Sequence, residues 1–172
     1  MTEIDPGSSA LLLIDLQERI VALPTTPLSG PEVVANAVRL RDAFAEAGGQ
    51  VVIIQAVRPG SELAEGNDVL PEIKPRVGEK LVVKQTIGGF YGTDLHAHLR
   101  DAGVRTVVFG GIATEFGVES TLRAAADHGY TTIAVSDAMT GLSDISHESS
   151  LTKIFPRLGT VATTDEVLAA LA

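Results

Sequence analysis

Short apolar runs alternate along the chain with segments whose apolar residues recur every three or four positions. The runs are rich in β-branched residues and are apolar throughout, which is typical of strands buried on both faces. Such strands occur in parallel sheets that are covered by helices. The pattern predicts strands at 9–16, 50–57, 79–84, 104–109, 131–136 and 160–162.

Helical patterns lie between these strands. Ser29 and Glu32 are spaced as a capping box, and the helix behind them carries Val33, Ala37 and Leu40 on one side. Further helices are predicted at 95–102, 118–128, 146–155 and 164–171, with Thr93 or Asp94 as the cap of the first of them. We therefore predict an α/β fold of three layers, doubly wound, with a mainly parallel six-stranded sheet flanked by helices on both faces. Residues 1–172 are expected to form a single domain.

Three segments that are distant in sequence place candidate functional residues at the carboxyl ends of predicted strands. Ligands bind at these ends in doubly wound folds. Asp15 follows the apolar run 10–14, and Lys84 ends the third strand. The glycine-rich turn 110–117 leads from the fourth strand into a helix, whose first N–H groups suit an anion or a developing oxyanion. We expect the three to converge on one crevice. Asp15 is then a general acid or base, or else a capping or loop carboxylate, and Lys84 is its partner or a solvated lysine.

Composition narrows the classes of function. The net charge of −9 and a sequence pI near 4.8 argue against nucleic-acid binding. Every apolar run is too short to cross a bilayer, and the N-terminal residues lack the pattern of a secretion signal, so a cytoplasmic protein is expected. The sequence contains no cysteine, which excludes disulfides, thiolate metal sites and a cysteine nucleophile.

The histidine and aromatic residues give weaker indications of a metal site or a substrate pocket. His96 and His98 are two apart on a predicted helix and face different directions, and no H-E-x-x-H motif is present. Asp94 before them is better explained as a helix cap than as a metal ligand. No metal and no other cofactor is therefore expected. Phe90 and Tyr91 follow two glycines and either line a pocket or pack in the core.

Four segments together resemble the isochorismatase-like hydrolase family, also called cysteine hydrolases. They are ALLLIDLQ, LVVKQTIGGFYGTDL, VVFGGIATEFGVESTLRAA and VSDAMTGLSDISHESSL, in this order over nearly the whole chain. The resemblance implies that Asp15 and Lys84 match the family aspartate and lysine, and that the family cysteine falls on Gly117. It also implies a cis peptide bond between Ile112 and Ala113, an oxyanion-binding edge near Gly117, and a homo-oligomer, either dimer or tetramer.

The catalytic set predicted from the sequence is thus Asp15, Lys84 and the Gly117 position. The candidate substrate-binding residues beside this set are Gln17, Phe90, Tyr91, Ile112, Ala113 and Thr114. The expected partner is a small-molecule substrate.

Glycine at the cysteine position changes the chemistry that the resemblance implies. Amidases of this family, such as nicotinamidases, attack with a thiolate, and Gly117 closes that route. Isochorismatases keep the aspartate and lysine, have glycine at this position and hydrolyse a vinyl ether. The sequence therefore predicts a hydrolase of a small, carboxylate-bearing molecule with Asp15 as general acid or base. Two alternatives stay open, hydrolysis of another small amide, ester or ether, and a binding protein or pseudoenzyme.

Overall fold

A single parallel sheet forms the centre of the protein in a computed structural model that describes residues 3–60 and 64–171. Its strands are β1 (Ser9–Ile14), β2 (Gln50–Ala56), β3 (Lys80–Lys84), β4 (Thr106–Ile112), β5 (Thr131–Thr140) and β6 (Thr160–Ala162). The strand order is β3-β2-β1-β4-β5-β6, and every neighbouring pair is parallel. The order reverses between β1 and β4, so the crevice of this doubly wound sheet lies above the ends of these two strands.

Helices connect the strands and cover both faces of the sheet. They are α1 (Glu18–Val21), α2 (Gly30–Glu46), α3 (Leu95–Asp101), α4 (Glu119–Asp127), α5 (Asp144–Ser149) and α6 (Thr164–Ala170). Pro6–Ser8 and Phe155–Arg157 form 3₁₀ turns, whereas Thr114–Val118 and Ser150–Ile154 form π-helical turns next to α4 and α5.

Two apolar cores lie on opposite faces of the sheet, because successive strand residues point to opposite sides. Leu11 and Leu13 of β1 belong to the core beneath α2 and α6. Leu12 and Ile14 belong to the core beneath α3 and α4. Every residue of β1 is buried, which explains its uninterrupted apolar sequence. The predicted three-layer fold is confirmed, and its sheet is wholly parallel.

Strand β4 extends further than the sequence suggested, because it continues through both glycines to Ile112. A Cβ on Gly110 would lie 2.9 Å from the backbone oxygen of Ala138, and one on Gly111 would collide with the backbone of Ile14. Gly111 also has a φ of 139°. The two glycines therefore let β4 pass closely between its neighbours.

The helix caps follow the sequence in one case and depart from it in another. The backbone N–H of Ser29 donates to the Glu32 carboxylate at 2.8 Å, as a capping box requires. Asp94 occupies the N-cap position of α3, but its carboxylate accepts from Lys80 at 2.6 Å and makes no cap bond. The prediction of a capping Asp94 is wrong because the β3 lysine is the stronger, charged donor. Thr93 Oγ1 accepts from the N–H of Leu95 at 3.3 Å instead.

Candidate active site

Asp15, Lys84 and Gly117 meet above the point where the strand order reverses. Asp15 directly follows β1, Lys84 is the last residue of β3, and Gly117 lies in the π-helical turn after β4. Lys84 Nζ is 2.8 Å from Asp15 Oδ2. A Cβ built on Gly117 would lie 2.7 Å from the same carboxylate oxygen and 3.4 Å from Lys84 Nζ. The three elements that the sequence analysis placed in one crevice therefore touch one another.

The backbone turns sharply at Asp15. Its φ of 57° is in the left-handed region, which aspartate tolerates better than most residues with a side chain. Its N–H continues the sheet by donating to Ile54 O, while its carbonyl already accepts from the N–H of Gln17. This turn ends β1 and leaves the carboxylate against Lys84 and Gly117 instead of in the core.

Burial dominates the protonation of Asp15. The side chain is only 9% exposed, and burial raises the pKa of Asp15 to about 6. The neighbouring Lys84 ammonium lowers this pKa, as do the more distant charges of Arg19 and Arg58, but they do not outweigh the loss of hydration. Oδ1 is buried and has no hydrogen-bond partner within residues 3–60 and 64–171. With this pKa, about half of Asp15 is the neutral acid at pH 6 and about one tenth at pH 7.

The ammonium of Lys84 is surrounded by oxygen atoms. It donates to Ile87 O at 2.6 Å, lies 3.4 Å from Thr86 O and pairs with Asp15 Oδ2. These three acceptors match the three N–H groups of an ammonium. Lys84 is 2% exposed, so its ammonium compensates the charge of the Asp15 carboxylate inside the protein.

An open cavity of about 360 Å³ leads to the Asp15–Lys84 pair. Its wall combines two arginines with apolar side chains and consists of Asp15, Arg19, Ile20, Ala56, Arg58, Lys84, Thr86, Ile87, Phe116 and Gly117. A second cavity of about 290 Å³ adjoins it and shares Asp15, Ile20, Arg58, Phe116 and Gly117 with it. The wall of the second cavity is mostly apolar and consists of Asp15, Ile20, Leu23, Arg58, Ile112, Ala113, Phe116, Gly117 and Leu142.

The sequence matches the isochorismatase domain over residues 9–166, which is nearly the whole chain and includes Asp15, Lys84 and Gly117. This chain belongs to the isochorismatase family of hydrolases. The isochorismatase family protein YwoC of Bacillus subtilis (strain 168) is 39% identical over 183 residues, which cover 96% of this chain and 95% of YwoC.

Other members extend the comparison to structure and to an assigned activity. The structure of an isochorismatase family protein from Burkholderia thailandensis is 36% identical, covers 99% of each chain and superposes with a TM-score of 0.91. The ureidoacrylate amidohydrolase RutB of Agrobacterium fabrum is 28% identical over 204 residues, which cover 95% of this chain and 90% of RutB. The fold of this chain is therefore that of its family over its full described length.

The turn after β4 has the backbone geometry that the family resemblance implied. The peptide bond between Ile112 and Ala113 is cis. The carbonyl of Ala113 accepts from the N–H groups of Phe116 and Val118, and Thr121 Oγ1 donates to Gly117 O at 2.6 Å. Ile112 and Ala113 line the second cavity, as expected for substrate-binding candidates. An oxyanion-binding edge near Gly117 stays a prediction.

Gln17 and Thr114, which the sequence analysis proposed as substrate-binding residues, line neither cavity. Both form hydrogen bonds inside the protein instead. Gln17 is fully buried, and its amide donates to Asn67 O at 2.6 Å and accepts from the N–H of Ala56 at 2.8 Å. It therefore connects the end of β1 to β2 and to the segment around Asn67. Thr114 is also fully buried, and its Oγ1 lies 2.8 Å from His147 Nδ1.

The aromatic candidates also lie elsewhere. Phe90 is 7% exposed and packs its ring against His128 and Tyr130, with centroid distances of 5.1 and 6.2 Å. Tyr91 is 80% exposed and lines neither cavity. The alternative interpretation of Phe90 as a packing residue thus agrees with its contacts.

Several wall residues were missed by the sequence reasoning. Arg19, Ile20, Phe116 and Leu142 line the cavities, although only their proximity to strand ends could have indicated them. Arg76 lines neither cavity and pairs with Asp42 at 2.6 Å.

Over the described ranges, no group of three or more His, Asp or Glu side chains is arranged to hold a metal ion. Within the same part of the chain, no helix is long and apolar enough to span a membrane.

Proposed function

We propose that this chain hydrolyses a small, carboxylate-bearing molecule by general acid catalysis. Asp15 donates the proton, Lys84 orients Asp15, and no side chain attacks the substrate. The observation that carries the proposal is the buried Asp15–Lys84 pair, which lies directly beneath the cavity and against the Cα of Gly117. A carboxylic acid with a pKa near 6 is suited to give up a proton near neutral pH.

The position of Gly117 excludes a covalent route through the family cysteine. The chain contains no cysteine, and the Asp15 carboxylate lies where a side chain at position 117 would begin. A reaction that begins with proton transfer needs no protein nucleophile. Cleavage of a vinyl ether is such a reaction.

The proposed steps use the groups at the cavity. Neutral Asp15 transfers its proton to the enol carbon of the substrate, which becomes an oxocarbenium ion, and the carboxylate that remains is stabilised by the Lys84 ammonium at 2.8 Å. Water then adds to the cation and returns a proton to Asp15. The resulting hemiketal collapses to a ketone and an alcohol, so one water is consumed and Asp15 ends in its starting form.

The substrate carboxylate is assigned to the arginines of the wall. All three N–H groups of Lys84 have oxygen acceptors in the protein, whereas Arg19 and Arg58 bring two further cationic side chains into the cavity wall. Their charges act on Asp15, which indicates that a bound anion would lie near the acid.

Turnover of a substrate panel tests this proposal. Isochorismate is assayed for pyruvate release, together with other carboxylate-bearing enol ethers, esters and amides. For whichever substrate is hydrolysed, Asp15→Asn is expected to lower kcat by about 10²–10⁴-fold, the usual contribution of a general acid. Asp94→Asn is the matched control, since that carboxylate is exposed and paired with Lys80 on another surface. Full activity of Asp15→Asn would refute the role of Asp15.

Ligand binding without turnover is a second candidate function, favoured by the glycine at the nucleophile position. A ligand that raises the melting temperature through the cavity but is never converted by the wild type supports this alternative. Hydrolysis by the wild type that is lost in Asp15→Asn excludes it.

A further inference from the structure

The second cavity has a different chemical character from the first. Away from Asp15, Arg58 and Gly117, its wall consists of apolar residues, of which Ile20 and Phe116 also line the first cavity. They are Ile20, Leu23, Ile112, Ala113, Phe116 and Leu142, and we call the space that they enclose the apolar subsite. A substrate whose labile bond lies at Asp15 would thus contact cations in the first cavity and hydrocarbon in the apolar subsite.

Three residues of the apolar subsite leave much apolar surface in contact with water. Leu23 is 42% exposed, Phe116 is 51% exposed and Leu142 is 45% exposed. Grouped apolar side chains of this kind on a protein surface usually mark a binding site. Because the three surround a cavity that opens onto the acid, the bound substrate is the occupant that the geometry favours.

The wall that carries Leu142 is fixed by specific contacts. The backbone N–H of Leu142 donates to Glu115 Oε1 at 2.9 Å. Gly141 exchanges two backbone hydrogen bonds of 3.0 Å with Thr26. A Cβ at position 141 would lie 2.5 Å from Glu115 Oε2, so glycine is required for the carboxylate to reach Leu142. The backbone that carries Leu142 is therefore positioned before a ligand arrives, which lowers the entropic cost of binding.

We propose that the apolar subsite binds a compact apolar group of the substrate, such as a saturated or aromatic ring without hydroxyl groups. This inference rests on the proposed function and specifies its substrate class. The volume of about 290 Å³ is sufficient, since a ring the size of benzene fits an apolar cavity of about 150 Å³. A hydroxylated ring would lose hydrogen bonds to water without gaining partners from the six apolar side chains.

Binding of two simple carboxylates tests the subsite without any turnover. Acetate offers only the anion, whereas cyclohexanecarboxylate adds a ring. Calorimetric titration of the wild type is expected to show at least about tenfold tighter binding of cyclohexanecarboxylate, since each buried methylene contributes up to about fourfold. Leu142→Ser is expected to remove most of this gain and to leave acetate binding unchanged. The backbone hydrogen bond to Glu115 is retained in this variant.

Ile145→Ser is the matched control. Ile145 is 82% exposed and lies three residues further along the chain, but it lines neither cavity. This variant is expected to bind both carboxylates as the wild type does. Equal affinity for the two carboxylates, or equal losses in both variants, would overturn the inference. The inference would also be overturned if Leu142→Ser changed the oligomeric state of the protein and left its ligand binding unchanged. A second copy of the chain would then be the occupant of the apolar subsite. These tests measure binding alone, so their failure leaves the catalytic role of Asp15 untouched.

Discussion

Asp15 Oδ2 lies 2.7 Å from the point where the Cβ of a residue at position 117 would be, so Gly117 and the carboxylate depend on each other. A real Cβ at that distance would force the carboxylate away from its present position. The carboxylate has little freedom to move because Lys84 and the buried surroundings fix it. In this protein, glycine at position 117 is therefore part of the geometry of the Asp15 carboxylate.

Gly117→Ala is expected to lower kcat by at least about tenfold, because the added methyl group displaces the Asp15 carboxylate. Overpacking of a buried site also lowers the free energy of unfolding by about 1–3 kcal/mol. Steady-state kinetics and urea unfolding measure the two effects. Gly7→Ala is the control, since a Cβ there meets only Asp5 Oδ1 at an ordinary 3.4 Å. Unchanged kcat in Gly117→Ala would contradict the proposed dependence.

Lys84→Met is expected to raise the pKa of Asp15 further above its usual range, because burial then acts without the compensating ammonium. The activity of the remaining acid should extend to higher pH. Lys80→Met is a suitable control, since Lys80 lies at the other end of β3 and pairs with the exposed Asp94. The measurement is the pH dependence of kcat/KM for both variants. A profile of Lys84→Met that does not move, or that moves to lower pH, would be inconsistent with this electrostatic account.

The raised pKa of Asp15 also predicts how stability depends on pH. Between about pH 4 and 6 the native protein keeps the Asp15 proton, while the unfolded chain releases it. The unfolded state then binds fewer protons, so the free energy of unfolding falls as pH rises through this window. The fall attributable to Asp15 is on the order of 3 kcal/mol.

Comparison with Asp15→Asn separates the contribution of Asp15 to the pH dependence of the unfolding free energy from the contributions of other groups. The difference in unfolding free energy, wild type minus variant, should decrease from pH 4 to pH 6.5 and stay constant above that. A difference that increases with pH would show that the pKa of Asp15 is lowered instead.

Gly141→Ala is expected to weaken the binding of substrates with an apolar ring. Its methyl group would lie 2.5 Å from Glu115 Oε2 and 3.1 Å from His147 Cβ, so the Glu115 carboxylate must shift from Leu142. Steady-state kinetics should show a higher KM with a smaller change in kcat, since Asp15 is not touched. An unaltered KM would show that this contact does not position the wall.

The sequence was sufficient to predict the doubly wound fold because the central strands β1, β2 and β4 are buried on both faces. Each therefore reads as a continuous apolar run, as in 10–14. The convergence of Asp15 and Lys84 also followed from the sequence, since parallel strands bring their carboxyl ends to one edge of the sheet. Gly117 became informative only through the family resemblance, because a glycine has no side chain whose chemistry could be interpreted.

The residues that could not be predicted depend on contacts between distant segments. Gln17 lies two positions after Asp15, but its amide is bound by Asn67 and Ala56 and points away from the cavities. Phe116 and Leu142 line one cavity although they are distant in sequence, and the Glu115 carboxylate accepts from the backbone N–H of Leu142. Neither hydrophobic periodicity nor a local motif contains this information.

The pH dependence of kcat/KM tests the central claim most directly. If Asp15 is the general acid, kcat/KM should fall as pH rises through about 6, with a slope of one proton, and Asp15→Asn should lose this transition. Asp94→Asn should keep it. A profile that rises through pH 6 would make Asp15 a base instead, and a transition that survives in Asp15→Asn would assign the titration to another group.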